Sequence, residues 1–356
     1  MALNRTTTET IKVERLQGKI ALEEAVGSPY FVAHGTHPPT PMIIGLKDGL
    51  PPYNAPFLED IDDRLNNVQK RLESMDASGI GYAIVSLTSP GVEGILDPEE
   101  AVTLAKKTND AIYDLYVKAH PTRFGFFACV PMQKPLEAAK ELERAVKTLG
   151  AKGVLINGFS NIDPNDTSNV QYLDDPKCEP FWQKLSDLDV PLYLHPRIPP
   201  VDQQRIYESY PNLSQAAYGF GVETAGHSLR IMCSGVLDRY PKVQIILGHC
   251  AESLPFLAHR IDHRLAIGIR GNNGPYKKSV MYYFQNNFYA TLAGVRREST
   301  MKNTIDEMGE GRMLFSVDYP YESNEDAADW FDGLQINENT RRAVAWENAK
   351  RLLNLE

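Results

Sequence analysis

Acidic and imidazole side chains in this sequence recur in one setting, the end of a short apolar run. GKIALEEA closes on Glu23 and Glu24, VPLYLHP on His195, VQIILGHC on His249 with Glu252 just beyond, and RMLFSVDYP on Asp318. Buried at strand ends, such groups lose hydration free energy unless they are paired or bound to a cation. A divalent metal removes that penalty. His195, Asp318 and one of the two glutamates offer a mixed oxygen and nitrogen set that suits zinc, manganese or magnesium. Three protein ligands leave coordination positions open, as a catalytic centre requires. Side chains alternate along a strand, so only one of Glu23 and Glu24 can face such a centre.

Each residue also has a plainer reading. Either glutamate is acceptable as a solvated turn acid, His195 and His249 as hydrogen-bonded core histidines, and Asp318 as a cap for the turn at Pro320. Asn157 and Ser86 end two further apolar runs and face the same end, where they would meet a substrate. Arg260 lies in the run HRIDHR; a solvated helix face is its default, and carboxylate binding its sharper use. His227, within an apolar helical stretch, reads as core. His34 and His37 lie in a Pro- and Gly-rich excursion, as lid or surface residues. What separates the two readings is the joint pattern: these groups end separate runs and share an orientation.

The runs themselves read as strands. Candidates span 19–25, 81–88, 124–131, 152–158, 190–195, 243–249, 287–293 and 313–319, each followed by a stretch of helical periodicity. Strands apolar on both faces, alternating with amphipathic helices, imply a parallel sheet, and eight such units imply a closed (β/α)8 TIM barrel. In that fold the chemistry sits where the strands end. No GxGxxG follows the first strand, which argues against an open dinucleotide-binding sheet. We divide the chain into an N-terminal arm, 1–17, and a single barrel domain, 18–356, with a long inserted loop at 27–58.

Bulk properties narrow the classes. The chain has 356 residues, 42% of them hydrophobic, and a net charge of -9, which argues against nucleic-acid binding. Cys129, Cys178, Cys233 and Cys250 form no CxxC pair, so neither a thiolate zinc site nor a redox motif is expected. The polar start MALNRTTTETIKVERLQ has no apolar core of a signal peptide, and no run is long enough to span a bilayer. The expectation is a cytoplasmic protein without membrane partners.

Together, GKIALEEA, YLHPR, SGVLDRYPKVQIILGHCAESLPF, RIDHR, LFSVDYPYE and NAKRLLNL resemble the amidohydrolase-2 family, in particular its metal-dependent hydroxybenzoate decarboxylases. The resemblance runs in collinear order from about Lys19 to Leu355. It implies an amidohydrolase-like barrel with one divalent ion held by Glu23, His195 and Asp318. It implies Asp318, His249 and Glu252 as catalytic residues and matches Arg260 to the family's helix arginine. It further implies a homodimer or homotetramer. Ala25 stands where many amidohydrolases carry a second histidine of the first strand. GHCAE and NGFS depart from the family's usual sequences after the sixth and fourth strands. The implied reaction is reversible, non-oxidative loss of CO2 from an ortho-hydroxylated benzoic acid of the 2,3-dihydroxybenzoate type. The alternatives are a metal-dependent hydrolase of a lactone, ester or amide, and a barrel that binds without turnover.

Overall fold

The computed structural model describes residues 14–30, 55–163, 165–268 and 274–356. The start of the arm, the body of the 27–58 excursion, and His34 and His37 lie outside the described residues. Eight parallel strands form one sheet in chain order. They are β1 (Lys19–Val26), β2 (Ile80–Leu87), β3 (Phe124–Ala128), β4 (Gly153–Asn157), β5 (Leu192–His195), β6 (Ile245–Leu247), β7 (Phe288–Thr291) and β8 (Met313–Leu314). All eight fall within or beside the expected spans. The sheet closes on itself past β8: Glu24 bridges Tyr319 in parallel, and the Asp318 N–H donates to the Glu23 carbonyl at 3.0 Å.

Alternation along the strands sorts the apolar residues into two layers. Ile20, Leu22, Ile84, Phe127, Leu155, Tyr193, Ile246, Tyr289 and Leu314 fill the barrel interior, so every strand contributes. Ala349 and Leu353 of the C-terminal helix join them. The intervening positions, such as Ala83, Val85, Phe126, Val154, Ile156, Leu194 and Leu247, pack outward with the helices. Those helices start and stop where local chemistry directs. The periodic stretch after the excursion is two helices, α1 (Ala55–Asn66) and α2 (Val68–Ser78), because Asn67 leaves helical geometry to cap α2, and Gly79 ends it at φ 68°. Asp97 caps α3 (Pro98–Ile112), accepting from two of its first N–H groups. α4 (Pro135–Leu149), α5 (Glu179–Leu188), α6 (Gly219–Cys233), α7 (Leu254–Ala266), α8 (Val280–Asn287), α9 (Glu298–Met308), α10 (Asn324–Asp332) and α11 (Asn348–Leu353) complete the outer ring and tail. A short antiparallel pair, Ser160–Asn161 with Val170–Gln171, was not anticipated. No helix among the described residues is long and apolar enough to cross a membrane.

At the barrel floor Lys19 is fully buried, and its ammonium is fully answered. Nζ donates to the Leu16 and Ser78 carbonyls at 2.5 and 3.0 Å and meets Asp332 of α10 at 3.0 Å.

Candidate functional site

Four positions at the opposite end of the barrel converge. β1 is not a regular strand there: its register against β2 slips between Ala21 and Glu24. This bulge breaks the alternation. Glu23 and Glu24 are both buried, as β1 is along its whole length, at 2% and 3% exposure, and they point to different places. Glu23 faces the barrel mouth. Glu24 turns into the seam with the last strand, where its Oε1 accepts from the Val317 N–H at 3.2 Å and from Ser316 Oγ at 3.3 Å. Burial pushes the Glu24 carboxyl up to about 8, with the Arg71 guanidinium opposing.

Glu23 is held on one side only. Its Oε2 accepts from Tyr193 of β5 in a short hydrogen bond and from Thr291 of β7 at 3.3 Å. Its Oε1 is buried and has no hydrogen-bond donor among the described residues. It has His195 Nε2 at 3.4 Å and His249 Nε2 at 3.8 Å. Gly248 leaves room for this carboxylate, since a Cβ there would lie 2.7 Å from Oε2.

His195 ends β5. Burial pushes its imidazole down to about 4, so the ring is neutral at physiological pH and its lone pair is available. His249 begins an unusual turn: His249, Cys250, Ala251, Glu252 and Ser253 all have positive φ, between 50° and 66°. A left-handed run without glycine is unfavourable by roughly 1–2 kcal/mol per residue, so its surroundings must impose it. It places His249 and Glu252 on one face, with Nδ1 and Oε1 2.7 Å apart. Thr304 of α9 donates to the Cys250 carbonyl at 3.4 Å. Burial works to lower the His249 pKa, but Glu252, Glu23 and Asp318 outweigh it and hold the imidazole well above its usual range.

Asp318 follows β8 at φ 80°, with Oδ2 3.6 Å from His249 Nε2. Burial drives both Asp318 and Glu23 above the usual carboxylate range, against the pull of His249. Glu23, His195 and Asp318 each offer one ligand atom, all within 4.8 Å of one another. An unsatisfied buried carboxylate oxygen, a second acid and a neutral imidazole form a donor set that fits a divalent cation.

The cluster opens into a cavity of about 910 Å³ lined by His195, Arg197, His249, Glu252, Asp318 and Tyr321, among others. Ser86, Asn157 and Arg260 do not line it. The Asn157 side chain is fully buried in the wall, and its main-chain N–H donates to Glu93 Oε1 at 3.2 Å. Ser86 is likewise buried within β2. Arg260 lies on the exposed side of α7, its default reading. His227 is core, its Nε2 accepting from the Leu173 N–H at 3.0 Å. The reading passed over Tyr193, taken as an apolar strand residue, although it lies two positions before His195 and therefore on the same face.

The amidohydrolase family model matches residues 30–355. A γ-resorcylate decarboxylase of Polaromonas sp. strain JS666 is 42% identical over 340 residues, covering 96% of this chain and 99% of that protein. A solved structure of 2,6-dihydroxybenzoate decarboxylase in complex with 2,6-dihydroxybenzoate superposes with a TM-score of 0.87 at 38% identity, covering 96% of this chain and 100% of that one. The Polaromonas sp. JS666 dihydroxybenzoic acid decarboxylase, solved with manganese and the inhibitor 2-nitroresorcinol, gives 0.86 at 40% identity, covering 96% and 98%. With a barrel of that fold and a family match over nearly its whole length, this chain belongs to the amidohydrolase family.

Proposed function

We propose that this chain is a metal-dependent decarboxylase of a dihydroxybenzoate and that its substrate is 2,6-dihydroxybenzoate. The observation that carries the reading is the convergence of Glu23, His195 and Asp318 at the base of a cavity large enough for an aromatic acid. The 2,6 pattern, in place of the 2,3 pattern expected from sequence, draws support from the names of the relatives. Manganese, carried by the Polaromonas protein, is the ion of choice among the divalent candidates.

A divalent ion held by Glu23, His195 and Asp318 would supply positive charge for the substrate's carboxylate and ortho oxygen. The chain's own residues do the rest. Direct loss of CO2 would leave an aryl carbanion, so protonation of the ring carbon must come first, helped by electron donation from the ortho oxygens. We assign that proton delivery to Asp318, at the mouth. His249, oriented by Glu252 at 2.7 Å, lies 3.6 Å from Asp318 and returns a proton to it. The new C–H bond takes up the proton. The C–C bond then breaks, its electron pair restores the ring, and CO2 and resorcinol leave.

The test is manganese-loaded protein against a panel of hydroxybenzoates, esters and lactones. We expect CO2 and resorcinol from 2,6-dihydroxybenzoate, with slower turnover in D2O. Acid release from esters or lactones, with no CO2 from any benzoate, would overturn the proposal in favour of a hydrolase.

A further inference from the structure

The bulge that separates Glu23 from Glu24 is held by a residue that no role above requires. Ser316 lies just past β8 and is 2% exposed. Its Oγ accepts from the Leu22 N–H at 3.1 Å and from the Glu23 N–H at 2.6 Å. It also lies 3.3 Å from Glu24 Oε1, to which it donates. A hydroxyl has two acceptor lone pairs and one proton, and here all are spent. In a regular parallel pair, successive N–H groups of a strand point to opposite sides. Two consecutive N–H groups meeting one oxygen mark the point where β1 is turned.

The same contact reaches the opposite strand end. Glu24 Oε1 also accepts the Val317 N–H, and the next residue is Asp318, whose own N–H donates to the Glu23 carbonyl. The Ser316 hydroxyl thus touches the backbone of one acidic member of the centre and, through Glu24, fixes the residue before the other.

We propose that Ser316 is a positioning residue for the metal centre. Its hydroxyl holds the bulge that aims Glu23 into the mouth and, with Glu24, sets the spacing between Glu23 and Asp318. This rests on the metal reading above, and it concerns affinity for the ion. Outer contacts of this kind commonly change metal affinity by about 10–100-fold.

The experiment is manganese titration, followed by calorimetry, of wild type, S316A, S316T and the distant floor variant K19M, with urea unfolding of each. Ser316→Ala should bind manganese about 10–100-fold more weakly. Ser316→Thr, which keeps the hydroxyl, should recover most of that loss. Lys19→Met, destabilised by a lesion remote from the mouth, should bind as wild type does. Should S316A not fold, S316C carries the test, since its sulfur is a weaker acceptor than the hydroxyl. Wild-type affinity in the folded Ala or Cys variant overturns the proposal, whatever its stability. A wild type that takes up no manganese removes the metal reading and this inference together; a wild type that binds while S316A binds equally removes this inference alone.

Discussion

β1 buries two charges of opposite sign, and they are treated differently. At the floor, the Lys19 ammonium meets two carbonyls and the Asp332 carboxylate, all at 3.0 Å or closer. At the mouth, one oxygen of Glu23 takes hydrogen bonds from Tyr193 and Thr291, while the other is buried without a donor among the described residues. A buried charge that the protein completes is architecture. A buried charge left half complete, beside a neutral imidazole and a second acid, is a place made for something else. The unmet oxygen of Glu23 also carries a desolvation cost that a bound cation would offset.

Substitutions at the two ends should separate these roles. Glu23→Gln removes charge from the mouth: manganese uptake should be lost and CO2 release should fall by ~10³-fold or more, as expected when several kcal/mol of metal-derived stabilisation disappear. Its thermal midpoint without metal should hold or rise. A large fall in that midpoint would show the carboxylate to be architectural, like Lys19. Lys19→Met attacks the floor and leaves Asp332 to Arg15 and the Leu16 N–H, so urea unfolding should show a clear loss that stays below the about 3–5 kcal/mol of a buried charge left without any partner, with manganese affinity of the folded protein intact. Altered affinity in that variant would mean that the two ends are coupled. The smallest effect belongs to Glu93, a fully buried carboxyl beneath the mouth that burial raises from 4.5 to about 7. The folded chain then holds a proton that the unfolded chain releases, so this group's contribution to stability is full below pH 4.5 and is lost as pH rises to about 7. Glu93→Gln should flatten the stability–pH curve there by about 3 kcal/mol; parallel curves for variant and wild type would refute it.

The barrel was legible because its strands are apolar on both faces, the signature of a sheet covered by helices. Even β6 and β8, three and two residues long, lie inside runs that read plainly as strands. The site was legible at its tips, since an acid or imidazole closing an apolar run is conspicuous. What the sequence hid was backbone geometry. Alternation allowed one of Glu23 and Glu24 to face the mouth, and one does, but the bulge at that point meets Ser316, a residue brought there only by closure of the barrel. HCAES contains no glycine, so nothing in it announces five consecutive left-handed residues. Tyr193 was masked by its apolar neighbours. Arg260, to which the resemblance lent a substrate role, lies on the exposed side of α7 and away from the cavity of this chain.

The hydrogen bond between Asp318 and Glu23 also joins the two ends of the cylinder. An ion gripped by the side chains of those two residues would act as a rivet through that joint. The barrel cannot offer the ion a complete grip until its last strand has docked beside its first. Loading and ring closure would then reinforce one another.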